Sequence, residues 1–326
     1  MHTTPIHAEM RGKVLLFGEH LIFHGASALG LPLPNVLKAV VCVDGKQLRF
    51  KKRDVVLRKF LEHISVVCRT EHLKVPTASI ELTSSIPKQS GFGSSAALST
   101  ALASCILQYN GHAQYCTQYT IDSSTKNVAE EHATLWRLAT LFEDFFHSPS
   151  SGIDTALSMQ ESALVLERVR DTNTQGRFPS FHCYQSHIHL AVVAASYPRS
   201  TQVAALIARA QSALQRVEYI SKLIADSNRA IALLTKQDIQ EKHTEEFSIL
   251  VESIHTTLRD IGLSSDVLEH ALQCAIRAGA IAAKMSGAGG GGALVCFCGN
   301  SKQALVVADA LRDTKDVREV IVSLCT

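Results

Sequence analysis

Five glycines fall within six residues in the run KMSGAGGGG, where Ala288 alone interrupts Gly287 to Gly292. Glycine gives up more backbone entropy on folding than any other residue, so this density needs a reason. A flexible turn between two strands is one reading. A hairpin, however, closes with about two to five turn residues and gains nothing from surplus glycine. A wall pressed against a ligand, or against another glycine loop, is the better account.

Another such loop is present. In IPKQSGFGSSAALSTALA, Gly91, Gly93, Ser94 and Ser95 stand directly before an alanine-rich helical pattern. The first N–H groups of a helix lack intrahelical acceptors, and the helix dipole makes that end partly positive. Glycine lets backbone approach an anion closely, so this junction can cradle phosphate, and a hydroxyl there can ligate Mg²⁺. The plainer reading is a tight turn with Ser94 or Ser95 as helix cap. Gly91 to Ala96 also fits the dinucleotide pattern G-x-G-x-x-A. That pattern needs a strand running straight into the turn and a second strand with an acidic end. Pro87-Lys88-Gln89-Ser90 intervenes here, and YNGHAQYCTQYT after the helix is no such strand. A Walker A run is absent from the chain.

The remaining pattern is α+β in two lobes. KVLLFGEHLIFHG opens as a buried strand, and VLKAVVCVDGKQLRF reads as a hairpin turning at Asp44-Gly45. TASIELTSS reads as a strand. Helices are expected at VVLRKFLEHISVVC, with Leu57, Leu61, Ile64 and Cys68 at helical spacing, and at GSSAALSTALASCILQYNG, stopped by Asn110-Gly111. A third is expected in SSTKNVAEEHATLWRLATLFEDFF, before the loop HSPSSGID and the strand SALVLERV. DTNTQGRFPS has linker composition, which places the lobes at residues 1–180 and 181–326. The second runs from a strand, HIHLAVVAAS, through several helices to the glycine run, a helix KQALVVADALRD and a strand VREVIVSL.

A chain of 326 residues can bury a large core. Its net charge of +2 is too small to argue for nucleic acid or a membrane surface. No apolar run reaches the roughly 18–20 residues of a membrane helix, and MHTTPIHAEMRG has no signal-peptide core. The nine cysteines are scattered through apolar segments and read as reduced thiols of an intracellular protein. His187 and His189 share a strand face in this reading but have no third ligand, so they are structural.

Three segments in order, GKVLLFGEHLIFHGASALGLPL, PKQSGFGSSAA and KMSGAGGGGALV, resemble the signature motifs of the galactokinase, homoserine kinase, mevalonate kinase and phosphomevalonate kinase superfamily. The lysine-led first motif, followed by His24-Gly25, resembles the mevalonate kinase branch. So do SPSSGIDTALS around Asp154 and SYPRSTQ around Arg199 and Thr201. The resemblance covers about residues 11 to 300. It implies an N-terminal lobe similar to the second domain of ribosomal protein S5 and a ferredoxin-like C-terminal lobe. The implied reaction moves the γ-phosphate of ATP to the 5-hydroxyl of (R)-mevalonate, in isoprenoid precursor synthesis. Phosphomevalonate, homoserine or a sugar are the alternative acceptors, and a non-catalytic ligand sensor is the alternative outside catalysis.

The resemblance also implies roles. Gly91, Gly93, Ser94, Ser95 and Ala96 hold phosphates, joined by Lys88, Gly287 and Gly289. Ser95 and Glu143, eleven residues before Asp154, ligate Mg²⁺. Such a sparse site suffices, because Mg²⁺ takes few protein ligands alongside water and phosphate oxygens. Asp154 is the general base, with Lys13 keeping it ionised and stabilising charge on the attacking oxygen. Lys13, Glu19, His20, Asp154, Arg199 and Thr201 bind the acceptor. KVLLFGEHL also fits a loose peroxisomal-type targeting pattern, set against a cytoplasmic default, and the SLCT end is not of the S-K-L type. A homodimer is left open.

Overall fold

The computed structural model describes residues 4–51, 54–112, 128–168, 181–199, 203–235 and 241–323. The chain forms two compact units, neither of them one continuous segment. The expected lobe boundary at 180 and the linker before it lie outside the described residues. The long strands β1 (Ile6–Phe17) and β2 (Ala28–Val43) pass from one unit into the other.

The first unit comprises Met1–Gly12, Pro34–Ile86 and Gly93–Glu161. Here β4 (Ala78–Ser84) pairs antiparallel with Leu37–Val43 of β2 and parallel with the short β3 (Arg49–Phe50). The hairpin expected at Asp44-Gly45 therefore does not form, because β4 lies between the two runs. Asp44 instead accepts from the Lys46 N–H at 3.1 Å and from the Arg49 guanidinium at 2.6 Å, which turns the chain aside. Helix α1 (Val55–Thr70) starts on Asp54, whose carboxylate accepts from the N–H groups of Val56 and Leu57. It buries Phe60, Leu61, Ile64 and Cys68, and leaves Leu57 half-buried.

Helix α2 (Ser94–Tyr109) is buried at every position from Ala96 to Leu107. A helix apolar on all sides belongs inside a core. Its Ala, Ser and Thr residues allow close approach by α3 (Val128–Glu143) and α4 (Ile153–Ser158), which both pack on it.

The second unit comprises Lys13–Leu33, Pro87–Phe92 and Ser162–Thr326. In it β5 (Ala163–Arg168) pairs with Ala28–Gly30 of β2 and with β6 (Phe181–Ser186). Next come β7 (Ala191–Tyr197) and four helices, α5 (Val203–Ala213), α6 (Val217–Leu234), α7 (Glu241–Asp260) and α8 (Asp266–Arg277). Then β8 (Ala282–Ser286), β9 (Gly292–Cys298), α9 (Ser301–Arg312) and β10 (Glu319–Ser323) complete the chain. The last four strands form an antiparallel sheet in the order β10-β7-β9-β8, the ferredoxin-like arrangement expected. Phe17 stacks on Phe297 at 5.7 Å, and Phe247 meets both rings edge-on. His187 and His189 are exposed and precede β7 instead of lying in it, so they share no strand face. The seven described cysteines are free thiols. No helix among the described residues is long and apolar enough to cross a membrane.

Candidate active site

In the first unit the site residues gather at the start of α2. Gly93, at φ +76°, occupies the cap position, and no side chain caps the helix. Ser94 and Ser95 are thus the first helical residues, and the plainer reading of either as a helix cap does not hold. The first intrahelical bond runs from the Ala97 N–H to the Gly93 carbonyl at 2.9 Å. The amides of Ser94, Ser95 and Ala96 come before it and have no acceptor within the helix. Ala96 contributes only this amide, since its side chain is buried.

Ser95 Oγ donates to Glu143 Oε1 at 2.7 Å. One turn on, Ser99 Oγ donates to Glu143 Oε2, also at 2.7 Å. Glu143 is the last residue of α3 and only 1 % exposed. His147 Nε2 lies 3.8 Å from Oε1. Asp154 is half-buried in the first turn of α4. That short helix is fixed on several sides. Trp136 Nε1 donates to the Gly152 carbonyl at 2.7 Å, and a Cβ on Gly152 would run into the indole ring. The hydroxyls of Thr140 and Thr155 are 3.1 Å apart, and those of Thr100 and Ser158 are 3.0 Å apart. Glu143 and Asp154 therefore ride on one scaffold of three helices stitched by buried hydroxyls. Sequence reasoning missed Trp136, Ser99, Thr100, Thr140 and Thr155. The available signal was hydroxyl residues inside apolar helical runs, where each needs a hydrogen-bond partner.

In the second unit Lys13 is 4 % exposed on β1, and its backbone N–H donates to the Phe92 carbonyl at 2.9 Å. The first motif is thereby tied to the first glycine loop. Glu19 is buried, with its carboxylate paired to Lys284. Lys284, absent from the sequence expectations, is a fully buried lysine on β8. It also donates to the carbonyls of Leu16 at 3.0 Å and Met285 at 2.8 Å. Ser286 Oγ donates to the Leu15 carbonyl at 2.6 Å. Burial pushes the Glu19 carboxyl up and the Lys284 ammonium down, each opposed by the attraction of the other.

His20 has φ +62°, and its Nε2 is buried with no hydrogen-bond partner among the described residues. Burial, helped by the Lys284 charge, holds its pKa down at about 4, so the imidazole is neutral near pH 7. His255 Nδ1 accepts from the Met285 N–H at 3.3 Å, which leaves Nε2 to donate to Glu269 at 2.9 Å.

The glycine run turns between β8 and β9, and most of its glycines answer to packing inside the second unit. A Cβ on Gly289 would strike the Leu263 carbonyl, one on Gly290 the Leu206 side chain, and one on Gly291 the Pro198 carbonyl. A Cβ on Gly292 would lie 2.8 Å from the Arg199 guanidinium, whereas Gly287 has nothing within 4 Å. The run also presses on the first loop, since a Cβ on Gly91 would lie 3.0 Å from Ala293 N and 3.5 Å from Arg199. Lys88 is exposed. Thr201 lies outside the described residues.

No cluster of three or more His, Cys, Asp or Glu side chains suited to a metal occurs among the described residues. The fitting pair is Ser95 with Glu143, a hydroxyl and a carboxylate 2.7 Å apart. Two hard oxygen donors suit Mg²⁺ when water and phosphate oxygens supply the other ligands.

A helix that starts on a glycine at positive φ, with first-turn amides that have no acceptor within the helix, is the equipment of a phosphate-binding protein. Residues 55–161 match the family profile described as GHMP kinases N terminal domain, and residues 231–316 match GHMP kinases C terminal. Together these cover more than half of the chain, which belongs to the GHMP kinase family. It is 25% identical to the mevalonate kinase of Pyrococcus furiosus, over 92% of this chain and 91% of that one. It is 26% identical to the mevalonate kinase of Mus musculus, over 86% and 83%. The L. major mevalonate kinase in complex with R-mevalonate superposes with a TM-score of 0.72 at 20% identity, covering 99% of this chain and 97% of that one.

Proposed function

We propose that the chain is an ATP-dependent kinase that phosphorylates the 5-hydroxyl of (R)-mevalonate. The observation that carries the reading is the joined Ser95–Glu143 pair at the start of α2, whose first-turn amides have no acceptor within the helix. Curated mevalonate kinases matched over nearly their whole length supply the acceptor.

Phosphoryl transfer asks a protein for positioning and charge stabilisation more than covalent chemistry. In this reading the amides of Ser94, Ser95 and Ala96 hold phosphate oxygens, with Gly91, Gly93, Gly287, Gly289 and Lys88 completing the cradle. Ser95 and Glu143 would hold Mg²⁺, which when bound neutralises phosphate charge. Asp154 takes the proton of the acceptor hydroxyl, and Lys13 stabilises the negative oxygen that results. His20, Glu19, Arg199 and Thr201 orient the acceptor. The neutral, unpartnered Nε2 of His20 suits a hydroxyl or carboxylate of that molecule.

A second reading changes the acceptor to phosphomevalonate. A Streptococcus pneumoniae phosphomevalonate kinase in complex with phosphomevalonate and AMPPNP superposes with a TM-score of 0.71 at 15% identity, over 98% of this chain and 100% of that one. Such a likeness shows fold and leaves the acceptor open. An ADP-release assay over mevalonate, phosphomevalonate, homoserine and galactose decides between them. Turnover of mevalonate alone is expected, and strong turnover of another acceptor with none of mevalonate refutes the proposal. Asp154→Asn should lower kcat by at least about 100-fold with ATP affinity retained. Near wild-type turnover in that variant removes Asp154 from the mechanism.

A further inference from the structure

Ser99 is 0 % exposed in the interior of α2, among apolar neighbours where a hydroxyl is costly unless bonded. Buried hydroxyls in helices commonly donate back to the carbonyl four residues earlier. Thr100 does this, donating to the Ala96 carbonyl at 2.8 Å. Ser99 does not. Its one proton goes to Glu143 Oε2 at 2.7 Å, and no other bond of this side chain is present among the described residues. The two oxygens of Glu143 are therefore held differently. Oε2 is gripped from inside the helix by Ser99, while Oε1 faces Ser95 at the helix start.

We propose that Ser99 is a positioning residue that fixes the rotation of the Glu143 carboxylate, presenting Oε1 together with Ser95 Oγ to the divalent cation. The inference rests on the reading of Ser95 and Glu143 as the cation ligands. A free carboxylate at the end of a helix can turn about its terminal bonds. Pinning one oxygen removes that freedom before the cation arrives, which favours binding by preorganisation. Ser99 needs no contact with the cation to do this.

The test measures Mn²⁺ as the probe, by the paramagnetic resonance signal of the free ion, in the presence of a non-hydrolysable ATP analogue. Ser99→Ala is expected to weaken Mn²⁺ binding by about 10- to 100-fold, the range for ligand-orienting partners. Binding of the analogue without metal should stay within about twofold of wild type, as a purely local effect requires. Ser99→Thr, which keeps the hydroxyl, is expected to restore Mn²⁺ binding. Thermal unfolding of each variant establishes that it is folded. The proposal is overturned if Ser99→Ala binds Mn²⁺ like wild type while Glu143→Gln loses it. It is also overturned if folded Ser99→Thr fails to restore binding, which assigns the loss to packing. If Glu143→Gln itself binds Mn²⁺ like wild type, the ligand assignment fails instead, and that result is separable from the others.

Discussion

Lys284→Met removes the ammonium that holds the Glu19 carboxylate and the carbonyls of Leu16 and Met285. Methionine keeps most of the volume and apolar stem, so the cavity contribution is small. The main loss is electrostatic. Deleting one partner of a buried ion pair costs about 3–5 kcal/mol, because the other charge stays desolvated. The two carbonyls that lose a donor raise this toward the top of that range, with sub-additive effect since all three share one cation. Against a total stability of about 5–15 kcal/mol, the variant should fold but sit near its limit.

The same variant should acquire a pH signature. Without Lys284, the buried Glu19 relieves its penalty by taking a proton, so its folded pKa rises further above the ordinary carboxylate value. Above that value the folded state then binds more protons than the unfolded one, and stability falls as pH rises until the carboxyl ionises in both states. Urea unfolding at pH 5 and pH 8 should show the larger deficit at pH 8. Adding Glu19→Gln should recover much of it, because a neutral amide is far cheaper to bury than a lone carboxylate. A Lys284→Met protein as stable as wild type at pH 8, or a double variant no more stable than the single one, refutes the account of this pair as a mutually dependent buried charge couple.

Two other perturbations follow from the geometry. Gly152→Ala puts a Cβ into the Trp136 indole at φ +77°, and should cost about 2–4 kcal/mol from backbone strain and overpacking together. Because α4 carries Asp154, the proposed base, urea midpoint and kcat should fall together, and a loss confined to the midpoint would detach Gly152 from positioning Asp154. Burial holds His20 at a pKa of about 4, below the ordinary histidine value of about 6.5. The unfolded state therefore binds the extra proton between those values, and stability falls as pH drops through that window by about 3 kcal/mol in total. His20→Gln should lose less stability than wild type over the same interval in paired urea titrations, and parallel curves would mean that His20 titrates normally.

How far the sequence reached depended on whether a feature was local. Helices were legible from apolar spacing, as in α1, and their stops from breaking residues, as in α2 with Asn110-Gly111, whereas the Asp54 cap of α1 was not read from sequence. The Asp44-Gly45 turn was not legible, because a strong local hairpin signal yielded to a parallel pairing with β4 that only tertiary contact decides. The site shows the same division. Ser95, Glu143 and Asp154 stand in motifs, but the groups that aim them sit one or more turns away, in helical runs that read as plain core. Ser99, Thr140 and Thr155 are invisible until α2, α3 and α4 are packed. The glycine run makes the point most sharply, since its density suggested a wall against a ligand or against the first glycine loop, and Gly91 does approach Ala293 closely. Four of its five glycines are instead required by neighbours within the second unit, at Leu263, Leu206, Pro198 and Arg199. Only Gly287 has open space. Close approach of backbone to something is what glycine density encodes. Here much of that something is the protein itself, so the run packs against its own neighbours and against the Gly91 loop.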